Sequence, residues 1–178
     1  MKQLNNKATR NKIKQKGFGA LEVMIALLLG VIVIVGAAVW YTKLRGASDK
    51  GQELENISSL ISNVRMLRST AGYGTNNTSL VPVLINAEGV PGNMSITGTT
   101  AITNSYGNVS VVSTGTGFTI GYNAVPAADC IFLITKSSGQ RGTSIKVNGG
   151  TARTGEITAA TASTDCSTAA NTIAWTSF

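Results

Sequence analysis

The chain has 178 residues, of which 43% are hydrophobic, and this length suits one compact domain with an anchoring segment. Its formal net charge is +7, but six of its fifteen basic residues precede Phe18, and from Phe18 onward nine bases face eight acids. The positive charge therefore belongs to the N-terminus, and we predict no nucleic-acid binding. The chain has no histidine and only two cysteines. We accordingly expect no catalytic triad, no metal site and no cofactor, and predict that the protein is not an enzyme.

An apolar segment follows the basic N-terminus and runs from Phe18 to Tyr41, with Glu22 as its only charge. As a helix it would extend about 36 Å, enough to cross the ~30 Å hydrocarbon core of a bilayer. The positive-inside rule then leaves the basic N-terminus in the cytoplasm and the C-terminal body on the other side. A plain signal anchor would have the same pattern. A cleaved secretory signal is disfavoured because it needs small residues after a shorter apolar core, whereas here the bulky Trp40 and Tyr41 end the apolar run and Lys43 follows it.

Helical periodicity continues beyond the apolar segment. Leu54, Ile57, Ile61 and Val64 recur at spacings of three and four. The opposite, polar face is assigned Glu53, Glu55, Ser59, Asn63 and Arg68. We therefore predict one helix from about Phe18 to Thr70, apolar all round in its first half and amphipathic in its second. Gly30 and Gly36 would permit close helix approach or local melting, or they are ordinary membrane glycines without a special role, and the sequence leaves the three alternatives open.

The remainder is rich in Gly, Thr, Ser and Asn, with short alternating runs that predict strands. These runs are Val109–Ser113, Phe118–Tyr122, Ser144–Asn148 and Thr172–Phe178. The run from Val125 to Ile134 is ambiguous, but Pro126 suits the first turn of a helix and Gly139 its end, so we favour a short helix. Residues Gly149 to Thr172 are interpreted as a surface loop. The predicted fold class is α+β, with the long helix packed on a mostly antiparallel sheet.

The two cysteines, Cys130 and Cys166, both lie in the part that the positive-inside rule places outside the cytoplasm. An oxidising compartment favours their pairing as a disulfide. Two free, buried thiols are the alternative.

The order Lys16-Gly17, then Phe18, then Glu22 at the fifth place of an apolar helix resembles the processing and assembly signature of type IV pilins. Further segments resemble class b members of the plasmid and enterobacterial kind that form thin pili. These are Gly89-Val90-Pro91, Asn104-Ser105-Tyr106-Gly107-Asn108 and Val125-Pro126 before Cys130. A 17-residue leader suits class b, whereas Phe at the mature start is typical of class a.

The resemblance implies a role for particular residues. A prepilin peptidase would cut between Gly17 and Phe18 and methylate the new amino group of Phe18. Glu22 would meet that amine on a neighbouring subunit during assembly. Cys130 and Cys166 would delimit the variable surface exposed on the filament.

The same resemblance implies three parts: a basic leader at 1–17 that is removed, a transmembrane and filament-core helix half at 18–45, and an exported globular domain at 46–178. The expected function is a structural subunit that polymerises into filaments for adhesion, aggregation or mating contact. A minor pilin or a type II secretion pseudopilin is the alternative, and a signal-anchored periplasmic binding domain would leave Gly17 and Glu22 unexplained.

The expected partners are further copies of this chain, the prepilin peptidase, the assembly machinery of the inner membrane, and the membrane itself. Before assembly the chain would lie in the inner membrane with its N-terminus inside and its body in the periplasm. After assembly it would lie in the extracellular pilus.

Overall fold

The computed structural model describes residues 19–178, with only the backbone described at residues 39 and 42–47. The chain divides into two compact units, one up to Lys43 and one from Leu44 to Phe178. The expected leader and the Gly17–Phe18 junction lie outside the described residues.

The first helix, α1, spans Ala20–Met66 and runs through the boundary between the two units. It ends in a tighter turn, in which the Leu67 and Arg68 amides donate to carbonyl oxygens three residues back. The helix therefore ends a few residues before the predicted Thr70.

The chain after α1 turns at Gly72, which has a φ of +93°. A Cβ at this position would lie 2.4 Å from the Gly115 carbonyl oxygen. Both the backbone conformation and the close approach of two backbone segments thus require glycine at position 72.

Three further helices and seven strands complete the second unit. In chain order they are α2 (Val81–Asn86), β1 (Ser95–Thr97), β2 (Ala101–Asn104), β3 (Gly107–Ser113), β4 (Phe118–Pro126), α3 (Ala127–Ser137), β5 (Thr143–Val147), β6 (Arg153–Thr154), α4 (Ala159–Asp165) and β7 (Ala170–Ser177). All neighbouring strands pair antiparallel, in the order β1-β2-β3-β4-β7-β5-β6. The expected α+β class with an antiparallel sheet is confirmed.

The core lies between α1 and one face of the sheet. The α1 residues Ile57, Leu60, Ile61 and Val64 are buried, which confirms the amphipathic stripe, and they belong to one cluster with inward-facing residues of the strands. The inward-facing residues at its centre are Val111, Phe118, Ile120, Tyr122, Ile173 and Trp175. Because the alternate strand residues point the other way, the opposite face of the sheet carries mostly small and hydroxyl side chains.

Helix α3 begins directly after Pro126, which confirms the short helix favoured by the sequence. The segment interpreted as a surface loop, Gly149 to Thr172, is mostly exposed, but it is not irregular throughout. It contains β6, α4 and the first residues of β7. The loop interpretation is therefore wrong for these elements.

Candidate assembly helix and disulfide-bounded region

The first part of α1 is apolar on all sides. Residues Ala20–Ala38 have a mean hydropathy of 2.7, and none of this segment is buried within the chain. Its 19 residues extend about 28 Å as a helix, close to the thickness of a bilayer core. An apolar surface of this size requires either lipid or other apolar helices around it.

Glu22 lies in the first turn of α1 and is exposed. Its amide donates to the Gly19 carbonyl oxygen at 2.9 Å, so its position is fixed by the start of the helix. A carboxylate in the first turn is favoured by the positive end of the helix dipole. Phe18, whose amine is the expected partner of Glu22, lies outside the described residues.

The glycines of the apolar segment border open space. A Cβ placed at Gly30 or Gly36 would meet no other part of the chain within 4 Å. Packing within the chain therefore does not require glycine at either position.

The two cysteines form a disulfide, as the sequence predicted, with a Cα–Cα distance of 5.9 Å. Cys130 lies in the first turn of α3, and Cys166 directly follows α4, so the bond joins the two helices. Both cysteines are buried. The chain between the two bonded cysteines contains β5, β6 and α4.

An ion pair joins two elements of this disulfide-bounded region, which we define as residues 130–166. Arg153 of β6 forms a bidentate ion pair with Asp165 at the end of α4, with one contact, from Nη2 to Oδ1, of 2.8 Å. Hydrogen bonding from Arg153 holds the pKa of the Asp165 carboxyl below its usual range. Just beyond the region, the buried Asn171 side chain donates to the Val125 and Thr168 carbonyl oxygens at 3.1 and 2.8 Å.

Glu53 was predicted on the polar face of α1, and this prediction is wrong. The side chain is only 1% exposed. Its Oε1 accepts a hydrogen bond from the Ser105 amide at 2.9 Å, and its Oε2 accepts from the side-chain amides of Asn104 and Asn56 at 3.1 and 3.2 Å. The carboxylate thus attaches the turn between β2 and β3 to α1.

A second group of contacts continues from this turn to α3. The Tyr106 hydroxyl donates to Asp129 at 3.2 Å, and Lys50 of α1 forms an ion pair with the same carboxylate at 2.8 Å. Burial, and then the charge of Asp129, raise the pKa of the Tyr106 hydroxyl. Burial, followed by the charge of Glu53, also raises the pKa of the Tyr122 hydroxyl.

Comparisons with known proteins place the fold and the family. A family model described as PilS N terminal matches residues 47–178, more than half of the chain. The crystal structure of the type IV b pilin from Salmonella typhi matches with 27% identity and a TM-score of 0.59, covering 70% of this chain and 97% of that one.

Two further solved structures are similar to the chain. The NMR structure of the type IVb pilin PilS from Salmonella typhi is 30% identical over 72% of this chain and 95% of that one, with a TM-score of 0.49. The crystal structure of TcpA, a type IV pilin from Vibrio cholerae El Tor biotype, has a TM-score of 0.50 at 15% identity. It covers 74% of this chain and 99% of that one, and it supports the fold alone.

No curated protein matched the chain. The family match also decides between the two pilin classes that the N-terminal sequence left open, in favour of class b. The apolar helix, the antiparallel sheet with its closing disulfide, and the match over residues 47–178 together show that this chain belongs to the PilS family of type IVb pilins, the structural subunits of type IV pili.

Proposed function

We propose that this pilin is the shaft-forming subunit of its pilus and that it polymerises through α1, with Glu22 selecting the position of each incoming subunit. The observation that carries the proposal is the unburied apolar segment Ala20–Ala38, with Glu22 in its first turn. Lipid covers this segment before assembly, and the same segments of neighbouring subunits cover it afterwards.

The leader is removed before assembly in this proposal. A prepilin peptidase of the inner membrane cuts between Gly17 and Phe18 and methylates the new Phe18 amine. The leader carries six basic residues and no acid, so the positive-inside rule keeps it in the cytoplasm and sends the body to the periplasm. Removing it also removes the charges that would hold the N-terminus at the cytoplasmic surface.

The role of Glu22 follows from the energetics of a charge in an apolar environment. A carboxylate within a bilayer or a bundle of apolar helices costs several kcal/mol when it has no partner. The Phe18 amine of the next subunit would provide that partner only in the correct register. Glu22 therefore selects register more than it adds strength, because a buried ion pair need not be more stable than an apolar pair.

The test compares Glu22→Val with Ala26→Val, which adds apolar volume one turn further along the same segment. We expect both variants to insert into the membrane, because each makes the segment more apolar. Glu22→Val should abolish or strongly reduce filaments, whereas Ala26→Val should retain them. Membrane fractionation, filament yield after shearing and electron microscopy measure the three outcomes. Normal filaments from Glu22→Val would refute the assembly mechanism.

Processing has its own test. N-terminal mass spectrometry of the mature subunit should find a methylated Phe18 as the first residue. Gly17→Arg should leave the full precursor in the inner membrane, because the bulky side chain displaces the peptide bond to be cut, while Lys16→Arg should be processed normally. An intact Met1, or a cut after Trp40, would contradict the proposal.

The shaft-forming role is distinguished from that of a minor pilin by stoichiometry. Quantitative mass spectrometry of sheared pili should find this chain as their main protein component. In the filament, the segment from Gly149 to Thr172 faces outward and serves adhesion, aggregation or mating contact. Its support is the exposure of most residues between Gly149 and Thr172.

A further inference from the structure

A cavity of about 290 Å³ opens beside the C-terminal end of β7. Its walls are the loop between α3 and β5, at residues 139–142, and Thr154 and Gly155 at the end of β6. Phe178 forms one side. The volume is suited to a single sugar ring or to a group of similar size.

Hydrogen bonds hold the walls of this cavity in place. The Gly139 amide donates to the Gly155 carbonyl oxygen at 3.0 Å and joins the two walls, and the Thr143 amide closes the loop on Gln140 at 3.1 Å. Nη2 of Arg65, in α1, donates to the Arg141 carbonyl oxygen at 2.9 Å. A cavity formed in this way loses little conformational entropy when it binds a ligand.

Phe178 is the aromatic side chain that this cavity offers to a ligand. It is 62% exposed, whereas the other aromatic residues of the second unit are buried or partly buried. The face of an aromatic ring is electron-rich and attracts the weakly positive C–H groups of an apolar surface. One face of a hexopyranose ring presents such a row of C–H groups.

Polar residues also line the cavity. Gln140, Arg141 and Ser144 are among its lining residues, and their side chains make no hydrogen bond or ion pair with other residues in the part of the chain that the structure describes. Amide and guanidinium groups are planar and form paired hydrogen bonds to adjacent oxygens, such as the vicinal hydroxyls of a sugar.

Glycines leave the backbone of the walls accessible. Gly139, Gly142 and Gly155 all have positive φ, and a Cβ at Gly142 or Gly155 would meet nothing within 4 Å. The Cγ of Glu156 lies 3.5 Å from a Cβ built on Gly139, so an acidic residue borders this wall, and the basic Arg141 lines the same cavity. Charges of both signs favour an uncharged ligand with many hydroxyl groups over an anion.

We propose that this cavity binds one hexopyranose unit of a glycan, with its C–H face on Phe178 and its hydroxyls on Gln140, Arg141 and Ser144. The inference deepens the proposed adhesive role of the pilus and rests on it. The site itself belongs to the folded subunit and needs no neighbouring copy.

The experiment is saturation-transfer NMR on sheared filaments with D-glucose, D-galactose, D-mannose and N-acetyl-D-glucosamine. We expect at least one of these sugars to receive magnetisation, most strongly at its ring C–H protons. Phe178→Ala and Gln140→Ala should each weaken binding by about tenfold, the effect of losing ~1.4 kcal/mol, and Phe178→Tyr should retain it. Ile96→Ala, which removes a half-exposed apolar side chain on β1, should bind as the wild type does.

Filament yield is measured for every variant. If filaments fail to form, the same NMR measurement on the detergent-solubilised full chain still tests the cavity, so that failure of assembly is distinguished from failure of binding. The absence of transfer to all four sugars would overturn the proposal. Equal transfer with wild type and with both Phe178→Ala and Gln140→Ala would also overturn it.

Discussion

Glu53 is a charged residue that is buried in the core of the second unit. Glu53, Ile57, Leu60 and Val64 are spaced by four, three and four residues, so they share one face of α1. The helical period thus predicts burial of position 53, whereas its charge predicts exposure. Position 53 is buried, as the helical period predicts, because three hydrogen-bond donors meet its carboxylate. Asn104 and Ser105 at the turn between β2 and β3 supply two of them, and Asn56 of α1 supplies the third.

We predict that Glu53→Ala lowers the free energy of unfolding by about 2–4 kcal/mol, because the Ser105 amide and the Asn104 side chain lose the buried Glu53 carboxylate as their acceptor, at about 1–3 kcal/mol each. Glu55→Ala, an exposed glutamate two residues further along α1, should change it by less than about 0.5 kcal/mol. Chemical denaturation of the detergent-solubilised chain gives both values. Hydrogen exchange should be faster at Ser105 in the Glu53 variant alone. Equal stability of the two variants would show that the buried carboxylate contributes nothing.

At the scale of elements, the sequence predicts helices and strands correctly where a long or strongly alternating hydrophobic pattern faces the core. Strands β3, β4, β5 and β7 and helix α1 follow from such patterns, whereas helix α3 was favoured because Pro126 and Gly139 suit the two ends of a helix. Strand β4 extends beyond the predicted Tyr122 to Pro126 through an irregularity at Ala124, which has a φ of +56°. This extension depends on pairing with β7, which no local pattern reveals.

Short elements were missed because their residues are weakly apolar. The sequence of α4 is Ala, Thr and Ser with one Asp, and its hydroxyl content suggested a loop. A signal was nevertheless present, because the Thr158 side chain caps the helix by accepting from the Thr161 amide. Similarly, Pro82 in the first turn of α2 is typical of a helix start. The two-residue strand β6 has no signal in the sequence, because it forms only by pairing with β5.

The apolar half of α1 carries a prediction about packing between subunits. A side chain at position 30 meets nothing in the single chain, so Gly30→Leu should leave insertion and folding of the subunit unchanged. We expect it to reduce filament yield strongly, because close helix approach uses small residues. Gly30→Ala, which favours the helix by about 1 kcal/mol, and Val31→Leu should retain filaments. Sheared yield and membrane fractionation measure the effect. A normal filament yield from Gly30→Leu would show that Gly30 does not serve close helix approach, so that it either permits local melting of the helix or has no special role.

The whole molecule combines a helix that requires lipid or neighbouring helices with a domain closed near its C-terminus by a disulfide. The bond links α3 to the end of α4, and both helices lie in the part of the chain that follows the four strands β1 to β4. Strand β7, which comes last, pairs with both β4 and β5 in the middle of the sheet. The sheet is therefore completed only when the end of the chain is in place, and the disulfide keeps the preceding region beside it.

We predict that the double variant Cys130→Ala/Cys166→Ala is less stable by about 2–5 kcal/mol, because the unfolded chain is no longer restricted by a loop with a sequence separation of 36 residues. Replacing both cysteines avoids a free thiol, and Ala162→Ser, at a buried α4 position, serves as a control for small changes in packing.

Insertion of the double variant into the membrane depends on the apolar segment alone and should be unchanged. Subunits should be lost before assembly, so filament yield should fall while newly made subunit in the membrane does not. Denaturant unfolding, pulse labelling and sheared yield measure these effects. Labelling of both thiols by an alkylating agent in wild-type filaments, without reductant, would show that the bond is absent in the assembled pilus.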